Sequence, residues 1–399
     1  MEQLERGWTA VASDRMVCAK CFDDYAIRDF VRTNASEEAC TYCGRKSKKP
    51  IAIPMNDVLQ LIGEGISYRY EDPANQNPWD EGEYVFPTMD SRELLDDWGP
   101  IANNDDVYEE IVEAFGGSVW NEKNLFGLSE DDVLRSGWRG FVDVVKYRQR
   151  YVFLRATKKK RGADPDTVTR DQMLDRLAEV ILQAGLVKLM KAGTSWFRAR
   201  PHDPAKHYTS AADLGTAPTR AALMSNRMSP AGIPMFYGAE DEATAIVETT
   251  GGKPVTVTVA TFETARDAWV VDLTALPPIP SLFDSERRHL HGSIHFLWSF
   301  VRDFIKPIER DGREHIEYVP TQVVTEYLRH VFRTETGRRV RGVIYNSSRN
   351  GGGKCCVLFF KNQACGAAKP GWQDEVCASP FSKRKKYWLG LVGTPTRHV

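Results

Sequence analysis

The chain has 399 residues, enough for two or three domains, and its 42% hydrophobic and 27% charged residues are those of an ordinary globular protein. No run approaches the roughly 20 apolar residues of a membrane span, and the opening MEQLERGWTA lacks the apolar core of a secretory signal, so the sequence predicts a cytoplasmic protein with no membrane partner. The net charge of −1 hides an asymmetry: residues 51–140 hold twenty Asp and Glu against five Lys and Arg, a balance that repels phosphate backbones and argues against nucleic acid as a partner.

Cys18-Ala-Lys-Cys21 and Cys40-Thr-Tyr-Cys43 are two CxxC pairs separated by eighteen residues. That spacing can bring four thiolates tetrahedrally around zinc, and a sphere closed by four sulfurs leaves no place for a reacting water, so the predicted zinc is structural. Gly44 follows the second pair, where a knuckle favours a residue without a Cβ. Phe22, Ile27, Phe30 and Val31 recur at helical spacing between the pairs and predict a short helix over the site.

Asn56 reads as the cap of a helix carrying Val58, Leu59 and Ile62, and Asn104 or Asp105 as the cap of one carrying Val107, Ile111, Val112 and Phe115. Residues 70–84 read as a loop, and Trp138–Leu154 as a further apolar stretch. Residues 1–155 contain no nucleophile–base pair and no phosphate-binding glycine loop. The basic runs Lys158–Arg161 and Lys383–Lys386 read as solvated linker and tail, and four scattered cysteines between Cys355 and Cys377 as buried thiols. Thr169–Gln172 is a capping box opening a helix through Leu174, Leu177, Ile181, Leu182, Leu186 and Leu189.

From Ser195 the pattern changes. Val255–Val259, Ala268–Asp272 and Arg341–Tyr345 read as strands, Lys354–Lys361 as the last one, and residues 289–305 and the segment starting at Pro320 as helices. Between them, Arg227–Glu248 (RMSPAGIPMFYGAEDEATAIVE) offers a guanidinium (Arg227), a phenol (Tyr237) and a carboxylate (Glu248), each at the edge of a short element. That set suits a phosphate-bearing, aromatic-tipped, hydroxyl-rich ligand, of which NAD is the commonest.

Four motifs in order carry a resemblance over residues 196–361: Phe197-Arg198-Ala199; Arg227 to Tyr237 running on through Thr244-Ala-Ile-Val-Glu248; Tyr318-Val-Pro-Thr-Gln322; and Gly342-Val-Ile-Tyr-Asn-Ser347. This part resembles the RES domain family. Met228 replaces an aromatic usual in the family and cannot stack as an indole would, and Asn346 replaces a proline. The first 155 residues are similar, through the cysteine pairs and Ile27–Val31, to an N-terminal domain fused to some RES and HEPN toxin-like domains. The resemblance implies a fold related to ADP-ribosyltransferases, a split mixed β core with flanking helices, and a toxin that breaks down NAD by hydrolysis or phosphorolysis. Position by position, it carries over Arg227, Tyr237 and Glu248 as catalytic residues, and Arg198 and Ser347 as residues binding the dinucleotide.

The expected architecture is α+β: a zinc-stapled, mainly helical N-terminal domain (1–155), a linker and bridging helix (156–192), a mixed RES domain (193–370) and a C-terminal tail (371–399). Glu248 would stabilise the developing oxocarbenium charge, Tyr237 would stack on nicotinamide or its ribose, Arg227 and Arg198 would clamp phosphate, and Ser347 would hold a phosphate or ribose oxygen. Nicotinamide leaves from a cationic ring without needing a proton, so one carboxylate suffices. Arg200, His202 and Arg349 lack support from the resemblance, and His207, His289, His291 and His295 have no metal-ligand spacing. An antitoxin or regulatory protein and a homo-oligomer are the compatible partners. The competing readings are transfer of ADP-ribose to a macromolecule and a non-catalytic, nucleotide-binding zinc interaction protein.

Overall fold

A computed structural model describes residues 8–12, 14–125, 127–151, 168–308, 312–368 and 387–398. The two basic runs, Cys377 and most of the 156–169 linker lie outside the described residues. The chain forms two compact units, one of Met1–Ser129 with Pro278–Gly292, the other of Glu130–Pro277 with Ser293–Val399. Among the described residues no helix is long and apolar enough to cross a membrane.

The first unit runs β1 (Met16–Cys18), α1 (Tyr25–Asn34), β2 (Ala52–Pro54), α2 (Met55–Arg69), β3 (Tyr70–Glu71), β4 (Trp79–Asp80), β5 (Glu83–Tyr84), β6 (Met89–Asp90), α3 (Ser91–Asp97), α4 (Asp105–Ala114) and β7 (Val119–Glu122). The predicted helix between the cysteine pairs is α1. The Asp24 carboxylate caps it by accepting from the N–H groups of Ala26 and Ile27, and Ile27 and Val31 are fully buried. Asn104 caps α4 through the N–H of Val107. Asn56 does not cap α2. The helix starts one residue earlier, and the Asn56 amide instead bonds both backbone groups of Val11, at 2.9 and 3.2 Å. The segment Pro278–Gly292 completes this unit's core: Phe283 sits edge-on to Trp98 and against Gly65, where an added Cβ would lie 2.6 Å from the ring.

The second unit runs α5 (Glu130–Asp143), α6 (Met173–Gln183), β8 (Val187–Met190), β9 (Ser195–Pro201), α7 (Ala211–Leu214), β10 (Phe236–Ala239), α8 (Glu242–Thr250), β11 (Val257–Thr264), β12 (Ala268–Asp272), α9 (His291–Ile305, of which Ser293 onward belongs here), α10 (Glu314–Glu317), α11 (Val319–His330), β13 (Gly342–Asn346), β14 (Lys354–Leu358), β15 (Cys365–Ala367) and β16 (Leu389–His398). Its strands form one mixed sheet in the order β15-β16-β11-β9-β10-β14-β13-β12-β8, parallel only between β12 and β13 and between β15 and β16. Helix α5 belongs to this unit rather than to the first, because Leu134, Trp138 and Phe141 turn into the same core as Phe300 and Phe304 of α9. By packing, the first unit's main segment ends at Ser129, inside the 1–155 span drawn from the sequence.

Two further expectations shift. The helix expected to reach Leu189 ends at Gln183. Gly185 takes φ +64°, and Val187–Met190 go on as edge strand β8 paired with β12. The expected tail contains β16, which pairs antiparallel with β11 from Thr264↔Leu389 to Val257↔His398. Its Gly, Pro and Thr residues blur the alternation that would have marked it. The sheet is also pinched: β9 and β10 pair at the single position Ala239↔Phe197.

Leu389 is fully buried at the start of β16. Leu389→Ala should lower unfolding stability by about 2–5 kcal/mol, read by denaturant titration of the full chain; an unchanged midpoint would mean that β16 is not part of the sheet.

Candidate functional site

Strand register decides which side chains can meet. Tyr237 is opposite Val357, which is opposite Val343; Ala239 is opposite Cys355, which is opposite Tyr345. Side chains alternate along a strand, so Tyr237, Ala239, Cys355, Val357, Val343 and Tyr345 share one face of the sheet. Helix α8 lies on that face, with Ala245 and Ile246 packed against Ala239, Cys355 and Phe197. Glu248 sits one turn further along α8, half-buried.

Ser347 follows β13 by one residue, in step with Tyr345 and Val343. Its hydroxyl donates to Glu248 Oε1, while its oxygen accepts the N–H groups of Arg349 and Asn350 at 3.2 and 2.9 Å. The loop after it is locked onto α8. Asn350 Nδ2 donates to Thr244 Oγ1 at 2.6 Å, and Thr244 in turn donates from its hydroxyl and its N–H to Asp241, the α8 cap. Gly353 is required by this closeness, since a Cβ there would lie 2.3 Å from Thr244 Oγ1.

Arg227 and Tyr237 are tied together by the turn between them. The Tyr237 oxygen accepts the Met228 N–H at 3.3 Å and lies 2.9 Å from Ser229 Oγ, and burial pushes the phenol up to about 12. Arg227 Nη1 donates to the Phe304 carbonyl at 3.0 Å, near the end of α9, and the Arg227 carbonyl accepts the Thr321 hydroxyl. Met228 is fully buried in the core, so the position where the family carries an aromatic faces inward here.

Arg198 is not brought into this group. In β9 it alternates with Phe197, which shares the Ala239 face, so its side chain leaves from the opposite face with Trp196. There its guanidinium lies over the Phe236 ring and donates to the carbonyls of Leu214, Gly215 and Tyr237 at 3.0, 3.1 and 2.8 Å. Burial pulls its pKa below the ordinary arginine value. Arg198, expected to clamp phosphate, is here held by three backbone carbonyls on the face opposite Tyr237 and Glu248.

In the first unit, Cys18, Cys21, Cys40 and Cys43 converge with Sγ···Sγ distances of 3.8 Å (18–21), 3.6 Å (18–43) and 3.8 Å (21–40). Four sulfurs about 2.3 Å from a tetrahedral ion stand about 3.8 Å apart, so this set can hold a metal ion. It is the one group of three or more His, Cys, Asp or Glu with converging ligand atoms among the described residues. Gly44, at φ +66°, makes the turn that closes it.

With these positions in hand, comparison with known families is decisive. A family model for the RES domain matches residues 195–378, and one for HEPN/RES N-terminal domain 1 matches residues 33–159. The chain carries a RES domain behind a HEPN/RES N-terminal domain. No curated protein and no solved structure matches it. The RES match contains Arg198, Arg227, Tyr237, Glu248 and Ser347 and stops short of β16. The N-terminal match includes Cys40 and Cys43, begins after Cys18 and Cys21, and runs on through α5.

Sequence reasoning passed over Ser229, Thr244, Asn350 and Tyr345 of the RES domain. Tyr345 had a readable signal, since it stands two residues before Ser347 in a strand and therefore on the same face. Ser347→Ala would leave two backbone N–H groups and the Glu248 carboxylate without their shared partner. It should destabilise the chain by about 1–3 kcal/mol, checked by thermal or denaturant unfolding, and a change below about 0.5 kcal/mol would show that water replaces the hydroxyl.

Proposed function

We propose that the RES domain cleaves the bond between nicotinamide and ribose in NAD, by hydrolysis or phosphorolysis, as a toxin-like enzyme under the control of its N-terminal domain. The observation that carries this reading is the Glu248–Ser347 pair set on the same sheet face as Tyr237, with Arg227 tied to Tyr237 through their shared turn. A carboxylate held by one hydroxyl keeps its remaining lone pairs for a second, which is how a ribose diol is gripped.

As the C1′–N bond breaks, both its electrons go to the nicotinamide nitrogen, and the cationic ring leaves neutral. Positive charge develops on C1′ and the ring oxygen of the ribose, and Glu248 stabilises it. A water or phosphate oxygen then bonds to C1′, a water nucleophile losing its proton to solvent. Tyr237 contributes its ring as an apolar wall, because its hydroxyl is held by the Met228–Ser229 turn. Phe304 O holds one of the five N–H donors of Arg227, and the rest serve the diphosphate. Ser347 aims Glu248. Arg198 supports the site from behind by holding the Tyr237 carbonyl. The near-parting of β9 from β10 is consistent with the split mixed core of an ADP-ribosyltransferase-related fold.

The metal in the first unit is read as zinc with a structural role. Four sulfurs fill a tetrahedral sphere, and no step of the cleavage runs through it.

The test is incubation of the purified full chain with NAD, with and without phosphate, and chromatography of the products. Free nicotinamide should appear with ADP-ribose, or with its 1″-phosphate when phosphate is present. Glu248→Gln keeps an acceptor for Ser347 and should retain the melting temperature, while nicotinamide release falls at least about 100-fold. NAD that survives intact at high enzyme concentration would sink the reading, and ADP-ribose found attached to protein would replace it with a transferase. Cys40→Ser should remove about one zinc per chain by atomic emission and lower the first melting transition; full zinc content in that variant would overturn the assignment.

A further inference from the structure

The cluster contains two tyrosines, and they differ in what their hydroxyls do. That of Tyr237 is engaged by Met228 and Ser229. Among the described residues the Tyr345 hydroxyl bonds to no protein group, and the residue as a whole is half-buried. Five other tyrosines bond protein groups through theirs. Tyr25 bonds Asp284, Tyr42 bonds Glu110, Tyr108 bonds Asp96, Tyr327 bonds Asp175, and Tyr70 accepts from Trp98. The body of Tyr345 is nonetheless fixed, packed between the Ala239–Ala245–Cys355 cluster and the main core.

Its position is defined by register. Tyr345 and Tyr237 stand on the same face, two strands and two residues apart, or roughly 12 Å between Cα atoms at ordinary sheet spacings. The shorter side chains of Cys355 and Val357 lie on the strand between them. One step past β13 from Tyr345, Ser347 holds Glu248. Glu248 and Arg227 lie near enough to act on the phenol electrostatically, the first opposing and the second favouring its ionisation.

We propose that Tyr345 contacts the substrate, its phenol O–H donating to the oxygen of the same ribose hydroxyl that donates to Glu248. This rests on the NAD-cleaving reading given above. A ribose hydroxyl gripped in this way has both its hydrogen and a lone pair bonded, and that fixes the face of the sugar presented to the nucleophile. Burial raises the Tyr345 phenol well above its ordinary value, so it remains a donor at neutral pH. Tyr237 and Tyr345 thus divide two tasks: the first holds the Arg227 turn, and the second reads the sugar.

The experiment compares the full wild-type chain, Tyr345→Phe and Tyr237→Phe for nicotinamide release from NAD and from NAD analogues lacking the 2′- or the 3′-hydroxyl of the nicotinamide ribose. Tyr345→Phe removes one oxygen and no packing. It should melt as the wild type does and lose about 10- to 100-fold in kcat/KM on NAD. That loss should vanish on the one analogue that lacks the bonded hydroxyl and persist on the other. Tyr237→Phe should instead lower the melting temperature. Wild-type kcat/KM in Tyr345→Phe, or an equal loss on NAD and both analogues, would overturn the proposal while leaving the NAD reading in place. A wild-type chain that releases no nicotinamide would overturn both.

Discussion

The bond from Ser347 to Glu248 joins residues 99 positions apart, and a closed set of neighbouring contacts holds both ends. A carboxylate in the last turn of a short helix has no fixed direction of its own. Here it is aimed by a hydroxyl that is itself fixed by two backbone N–H groups, in a loop pinned through Asn350 to the first turn of the same helix. The ring of contacts closes on itself: Asp241 caps α8, Thr244 ties the cap to the loop, and the loop returns to Glu248. Gly353 permits the approach, and the β10–β14–β13 ladder holds the two ends in register.

The same economy operates at Arg227. Its side chain and its carbonyl are both held, by the ends of two different helices, and its turn is tied to Tyr237. The Tyr237 hydroxyl is thereby occupied by its own turn, and only its ring is left to face a ligand. Arg198 carries this further: an arginine that looked like a ligand for phosphate is a ligand for three carbonyls on the far side of the sheet.

Much of this was legible in the sequence because it rests on local signals. The CxxC spacing foretold the sulfur cluster, Asn104 the start of α4, and the Ala268–Asp272 alternation a strand with those bounds. What was not legible depends on partners far away in the chain. Whether Arg198 faces the site follows from one register pair with β10, not from its neighbours. Asn56 has the composition of a cap, but a backbone segment 45 residues away takes its amide. Strand β16 has little propensity of its own and exists because β11 offers it an edge. Tyr345 stood inside a recognised motif, yet only its unbonded hydroxyl separates it from a core tyrosine.

The segment Pro278–Gly292 has a consequence for how the protein can be taken apart. It leaves the second unit after β12, supplies Phe283 to the core of the first, bonds Tyr25 through Asp284, and returns to start α9. The two units are therefore discontinuous in the gene, and no single cut separates them. A fragment ending at residue 129 or 155 lacks a wedge of its own interior, leaving the groove beside Gly65 and Trp98 bare. The complementary fragment carries an orphan loop tipped by an exposed phenylalanine. Dissection of this protein has to follow its contacts, with the loop supplied to the N-terminal fragment as a peptide or by circular permutation, rather than the order of its residues.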